Sequence, residues 1–224
     1  MNERNYQKEL DRILEQMKRE TEAGELVPTL LMHSCCAPCS SYCLEYLAQY
    51  FRITVLYYNP NIFPESEYEY RIAEEDRLIQ ELNRIPLKYP IAFLSTDYTP
   101  EDFYGIARGL EQEPEGGKRC YKCYERRLLE AAKYAKEGRF DYFTTTLSIS
   151  PMKNAKWLNE IGERIGEEYG IRYLCSDFKK KNGYKRSVEL SKKYGLYRQD
   201  YCGCVYSKNE RESSALKMKT IKNE

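Results

Sequence analysis

The amino-acid sequence predicts an α/β protein with a doubly wound, mostly parallel sheet of about five strands. Two patterns carry that expectation. Short apolar runs rich in β-branched and aromatic residues alternate with amphipathic segments of about ten to twenty residues, as in βαβ units. Several of those runs also give way, at their carboxyl ends, to segments rich in cysteine, asparagine, serine or aspartate. In open parallel sheets that edge, beside the helix N-termini, is where ligands bind.

Residues 1–25 read as an amphipathic N-terminal helix with Tyr6, Leu10, Ile13, Leu14 and Met17 on one stripe and Gly24 closing it. A single domain is expected over 26–208. The first strand is Thr29–Met32, ended by His33–Ser34, and a helix opens at Ser40 and runs through Tyr50. Arg52–Tyr58 is the second strand and leads into the turn-forming loop Asn59–Pro64. Glu65–Asn83 is a long helix, and the third strand is Leu87–Tyr89 or Ala92–Leu94. A helix and an acidic, glycine-rich loop fill 100–118, and a helix starting at Arg119–Cys123 runs to about Lys136. Tyr142–Thr146 is the fourth strand, Asn154–Tyr169 a helix, and Ile171–Leu174 the fifth strand, ending in Cys175-Ser-Asp177. A basic loop, Phe178–Gly183, precedes a helix over Tyr184–Tyr194. The stretch 209–224 has few large apolar residues and is expected to be a flexible tail.

At 224 residues and 42% hydrophobic content the chain can bury one sizeable core. No run approaches the roughly 18 apolar residues of a membrane helix, and the N-terminal MNERNYQKEL is charged throughout, so a reducing cytoplasm is the expected setting. Nine cysteines in that setting argue for metal or redox chemistry over a disulfide framework. The net charge of +1 is unevenly spread. Residues 175–224 carry 13 basic against 6 acidic side chains, about +7, and residues 1–174 carry 23 against 29, about −6. A basic quarter with five interleaved tyrosines, and Tyr173 just before it, suits a phosphate-bearing polyanion, or simply a solvated lysine-rich face.

Thiolates select zinc or iron–sulfur clusters. The vicinal Cys35-Cys36 is awkward for a plain zinc knuckle and suits a cubane, whose corners adjacent residues can reach separately. With Cys120-x-x-Cys123 it gives the preferred tetrad of Cys35, Cys36, Cys120 and Cys123, and a [4Fe–4S] cluster is the simplest occupant. Cys39, Cys202 and Cys204 remain. The Cys-Gly-Cys pair fits either a second metal or a strained, redox-active disulfide. Cys43 and Cys175, single and beside apolar residues, read as small buried hydrophobes. His33, the only histidine, reads as a satisfied polar group beside the cysteine loop.

Asp97 and Asp177 each follow a strand and are candidate general acids or metal ligands, with helix capping as the plain alternative. Ser148, Ser150, Lys153 and Asn154 follow the fourth strand and suit a phosphate or ribose, or else a capped turn. Tyr58, Asn59 and Asn61 reach the same edge; Tyr57 and Tyr58 also read as strand packing.

His33-Ser-Cys-Cys-Ala-Pro-Cys39, Tyr58-Asn-Pro-Asn-Ile-Phe-Pro64, Cys120-Tyr-Lys-Cys123, Thr145-Thr-Leu-Ser148 and Tyr201-Cys-Gly-Cys204 occur together and in this order. That set resembles the cobalamin-independent epoxyqueuosine reductases of the QueH type, from about residue 28 to 206. The resemblance implies a fold related to the HUP and PP-loop nucleotide-binding proteins. It implies the last step of queuosine biosynthesis, removal of the epoxide oxygen from epoxyqueuosine at the wobble position of tRNA, with water as by-product and two electrons and two protons consumed. It further implies a [4Fe–4S] cluster on Cys35, Cys36, Cys120 and Cys123, and Cys202 and Cys204 as a redox-active disulfide or ligands of an additional mononuclear iron. The family often has aspartate where this chain has Cys39, so a third sulfur would make the second site softer. Under this reading Lys179, Lys180 and Lys181 grip anticodon phosphates, Asp97 or Asp177 protonates the departing oxygen, and a separate electron donor supplies the enzyme. Two other readings stand beside it. A PP-loop-like tRNA thiolation enzyme would need a glycine-rich pyrophosphate loop where Ser34–Cys39 has no glycine and no aspartate. A zinc-stabilised RNA-binding module would be colourless and would lack sulfide.

Overall fold

The computed structural model describes residues 4–24 and 26–221. Five parallel strands form one sheet in the order β3-β2-β1-β4-β5, with β1 Thr29–Ser34, β2 Arg52–Tyr57, β3 Ala92–Ser95, β4 Tyr142–Thr145 and β5 Arg172–Tyr173. The expected doubly wound sheet is therefore present. Of the two alternatives for the third strand, Ala92–Ser95 pairs with β2, whereas 87–89 lies outside the sheet.

Eight helices cover the sheet among the described residues: α1 Tyr6–Glu22, α2 Ala37–Leu47, α3 Glu65–Asn83, α4 Pro100–Ala107, α5 Lys118–Glu137, α6 Ala155–Tyr169, α7 Gly183–Lys193 and α8 Val205–Ile221. Alternation along β1 divides the core between two faces. Leu30 and Met32 point into a cluster with Leu10 and Leu14 of α1, Leu44 and Leu47 of α2 and Leu78 of α3. Leu31 points the other way, against Leu128 of α5, Phe143 of β4 and Leu158 and Ile161 of α6. A strand covered on both faces has no solvated side, which is why its sequence reads as a continuous apolar run.

Several boundaries differ from the sequence reading for identifiable reasons. Strand β1 carries on through His33 and Ser34, because both polar side chains find partners inside the fold. Helix α2 begins at Ala37, three residues before Ser40, with Pro38 in the first turn, where its missing N–H loses nothing. The fourth strand stops at Thr145, and Thr146–Ile149 turns as a 3-10 helix. The stretch read as a tail continues α8 to Ile221, and 222–224 lie outside the described residues.

Because β1 has β2 on one side and β4 on the other, the chain changes direction across the sheet between β1 and β4. The carboxyl ends of these strands, paired as His33 with Thr145, open a crevice there. No described helix is long and apolar enough to cross a membrane.

A thiol-lined cleft at the carboxyl edge of the sheet

A cleft of about 480 Å³ opens over the switch point and is lined by Cys35, Cys36, Cys39 and Cys202 together with Arg71, Glu115, Arg127 and Lys153. A smaller cavity adjoins it, lined by Cys120, Cys123, Cys202 and Cys204 with Asn61 and Arg119. Cys202 and Arg127 face both. Seven of the nine cysteines thus gather in one place, and the two read as hydrophobes do not. Cys43 is fully buried in the core, and Cys175 lies 3.2 Å from Glu163.

Helix geometry explains the gathering. Cys36 is the N-cap of α2 and Cys39 its third residue, with Cys35 immediately before. The three sulfurs lie within 4.8 Å of one another, Cys35 and Cys36 at 3.7 Å. Gly117 caps α5, so Cys120 is likewise a third residue, and its sulfur accepts the Gly116 N–H at 3.2 Å. Cys204 immediately precedes α8 and accepts the Ser207 N–H at 3.4 Å. Three helix N-termini therefore converge on the thiols, and the positive end of each helix dipole favours thiolates.

Proton affinities within the two sets diverge. Hydrogen bonds from Cys36 and then Cys39 hold the Cys35 thiol well below its usual range. The bond to Cys35, with burial, leaves the Cys36 thiol pushed up to about 12. Across the cleft a bond from Cys204, reinforced by Lys153, holds Cys202 low against its burial. Burial pushes Cys123 up to about 11.

A polar network ties the second set down. Lys153, 8% exposed, places Nζ 3.1 Å from Cys202 Sγ and 3.2 Å from Glu115 Oε1. Ser207 donates to Glu115 at 2.8 Å and accepts the Cys202 N–H at 3.2 Å. Arg119 is buried and donates through Nη1 to the carbonyls of Leu110, Glu111 and Glu113, holding the loop that carries Glu115. Gly203, at φ +111°, makes the bend between the two cysteines; a Cβ there would meet Arg71 Nη1 at 3.0 Å.

Beneath the cleft, Arg127 is 2% exposed and donates to Asn59 Oδ1 and, at 3.2 Å, to His33 Nε2. Burial and then Arg127 lower the imidazole to about 3, so His33 is neutral. Nε2 also lies 3.1 Å from the Tyr58 carbonyl; because the Arg127 N–H can only donate to it, we assign the proton to Nδ1, which lies 2.9 Å from Thr145 Oγ1. This satisfied histidine matches the sequence reading. Glu75 is fully buried under the cysteine loop, and burial raises its carboxyl to about 8.

The other sequence candidates are distributed unevenly. Asn61 lines the smaller cavity with a buried, unpartnered Oδ1. Asn59 is turned inward onto Arg127 and the Ser34 carbonyl. Tyr58 donates to Asp102 at 2.7 Å beneath Arg126. Ser148 is buried and paired with Ser176 at 2.9 Å, while Ser150 lines the cleft and Asn154 caps α6. Asp97 is exposed, Asp177 pairs with Lys179 at 2.6 Å, and neither lines either cavity. Lys181 pairs with Asp11 at 2.6 Å, and Lys180 is exposed beside it. The sequence reading passed over Arg127, Arg71 and Glu115. Arg127 was within its reach, since it lies four residues after Cys123 and so on the same face of α5.

Fold and site together define a doubly wound α/β protein with a multi-thiol centre at its topological switch point. The family model described as "Epoxyqueuosine reductase QueH" matches residues 30–210. Curated proteins of that name are similar along most of their length. That of Streptococcus pyogenes serotype M1 is 47% identical over 197 residues, 88% of this chain and 77% of its own. That of Staphylococcus epidermidis is 43% identical over 91% of this chain and 84% of its own, and that of Thermotoga maritima 37% over 82% and 92%. The chain belongs to the QueH family of epoxyqueuosine reductases.

Proposed function

We propose that this protein reduces epoxyqueuosine to queuosine in the tRNA anticodon loop, using a [4Fe–4S] cluster on Cys35, Cys36, Cys120 and Cys123 and an additional iron on Cys39, Cys202 and Cys204. The observation that carries this reading is the convergence of seven thiols from three distant segments on one cleft. The donor set fits such groups: it is all sulfur, it sits at three helix N-termini, and two buried cations, Arg127 and Lys153, face it. Bound there, the cluster supplies single electrons and the iron a Lewis acid for the epoxide oxygen.

The chain's own residues do the rest. Two electrons from a separate donor and two protons convert the epoxide to an alkene and water. The cleft admits a nucleobase side chain between Cys39, Arg71 and Tyr201. The Lys153 ammonium lies 3.1 Å from Cys202 Sγ at the cleft; we assign it the donation to the departing oxygen, ahead of Asp97 and Asp177, which line neither cavity. Lys179, Lys180 and Lys181 meet anticodon phosphates, and Tyr184 and Tyr201, at the cleft wall, offer faces to unstacked bases.

The test is anaerobic purification with iron, sulfide and zinc analysis, followed by assay on tRNA bearing epoxyqueuosine. Four or five irons with about four sulfides per chain, and queuosine formed, are expected. Zinc without sulfide would sink the redox chemistry and leave an RNA-binding module.

A further inference from the structure

Arg127 carries a permanent charge in the interior, and a buried charge is stable only when something of opposite sign offsets it. Its oxygen and nitrogen partners are both neutral, the Asn59 side-chain oxygen and the lone pair of His33, and its third side-chain contact is the Cys123 sulfur. Among the described residues no carboxylate lies within ion-pair distance of it. Two other buried arginines of this region differ. Arg71 pairs with Glu67 at 2.7 Å, and Arg119 is surrounded by three main-chain carbonyls with Glu210 at 3.5 Å. A guanidinium keeps its charge throughout the physiological pH range, and the groups of opposite potential that face this one are Cys123, Cys35 and Cys202. Those three residues come one from each cysteine segment. Arg127 is also, with Cys202, common to the linings of both cavities.

We infer that Arg127 is the internal counter-charge of the sulfur-ligated centre and that it raises the centre's reduction potential. This rests on the reading that the cysteines hold an iron–sulfur cluster. Each reduction adds one electron, hence one negative charge, to a centre ringed by thiolates. In a medium of low dielectric a fixed positive charge nearby stabilises the more negative, reduced state more than the oxidised one. Asn59 and His33 serve this role by being neutral: they aim the guanidinium without discharging it. Arg127 is thus a positioning and tuning residue that touches no substrate. It makes the centre easier to charge from a one-electron donor.

The experiment is an anaerobic redox titration of the cluster-loaded protein, with dithionite and mediator dyes, followed by absorbance and electron paramagnetic resonance. Arg127→Met should lower the midpoint potential, and Arg127→Lys, which keeps the charge, should stay near the parent. Should either variant fail to fold, Asn59→Asp decides, because it leaves Arg127 in place and sets a carboxylate against it. Its potential should also fall. A potential unchanged in cluster-loaded Arg127→Met or Asn59→Asp overturns the inference. A parent protein holding zinc and no sulfide instead overturns the reading beneath it. That result is visible in the metal analysis before any titration.

Discussion

The two groups of thiols facing the cleft are built in opposite ways. Cys35, Cys36 and Cys39 come from one five-residue stretch between the central strand and α2, and main-chain geometry alone brings them together. Cys120, Cys123, Cys202 and Cys204 come from two segments that meet only in the folded chain. Side chains hold them there: Lys153, Glu115, Ser207 and Arg119. The first group is set by local structure and the second by a polar network. Substitutions should therefore abolish the first group outright and loosen the second by degrees.

The sharpest break is Cys36→Ala. It removes the sulfur of the α2 N-cap residue, which lies 3.7 Å from that of Cys35. We expect the cluster's visible absorbance to vanish and activity on epoxyqueuosine tRNA to fall to background; a brown, active variant would contradict the tetrad. In the second group, Lys153→Met should spare that absorbance. It should cost about 10–100-fold in activity or in retention of the fifth iron, as loss of a ligand's supporting partner does. Iron and sulfide counts per chain check it. Arg119→Met strands three main-chain carbonyls and frees the loop carrying Glu115, and should lower the unfolding free energy by about 2–3 kcal/mol in urea titration.

A finer distinction lies beneath the first group, where Glu75 and His33 titrate with opposite signs. The folded state keeps Glu75 protonated up to about 8 against an ordinary 4.5, so this residue's contribution falls as pH rises through that window. His33 is held neutral down to about 3 against an ordinary 6.5, so its contribution falls as pH drops through 6.5 toward 3. Between 4.5 and 6.5 the two offset each other. Outside that plateau each gives a slope of about 1.4 kcal/mol per pH unit. Glu75→Gln should abolish the fall above pH 6.5 and unmask the rise due to His33 between pH 5 and 6.5, as read by denaturant midpoints from pH 5 to 9. Last and smallest, changing Lys179, Lys180 and Lys181 to Ala should weaken tRNA binding severalfold and flatten its salt dependence, with the cluster spectrum intact. The effect is modest because Lys179 and Lys181 already spend their charge on Asp177 and Asp11.

The same contrast decides what could be read from the sequence. The alternation of strands and helices, the burial of β1 and the first cysteine group follow from residues adjacent in the chain, where apolar runs and helix-opening positions are visible; the strand order does not, because it is set by tertiary packing. Cys43 and Cys175 were separable for the same reason, each sitting alone among apolar neighbours. Lys153 was visible as a polar residue after the fourth strand, but its contact with Cys202 spans 49 residues and belongs to tertiary structure. Glu115 looked like part of an acidic surface loop, and only Arg119's grip on that loop turns it inward. Asn59 faces inward because a buried arginine, invisible to local patterns, requires its oxygen.

The spacing of the cysteine segments also has a bearing on how the protein is made. From Cys39 to Cys120 is 81 residues, and from Cys123 to Cys202 another 79. At about 5–20 residues per second on the ribosome, roughly ten seconds pass between each segment and the next. Through the first of these intervals the first three thiols stand without their partners, in a parallel sheet whose central strand still lacks β4. No nascent fragment short of Cys204 contains the whole sulfur set. Full occupancy of the proposed centre therefore waits until Cys204 has been made, and the earlier thiols need a reducing surrounding until then.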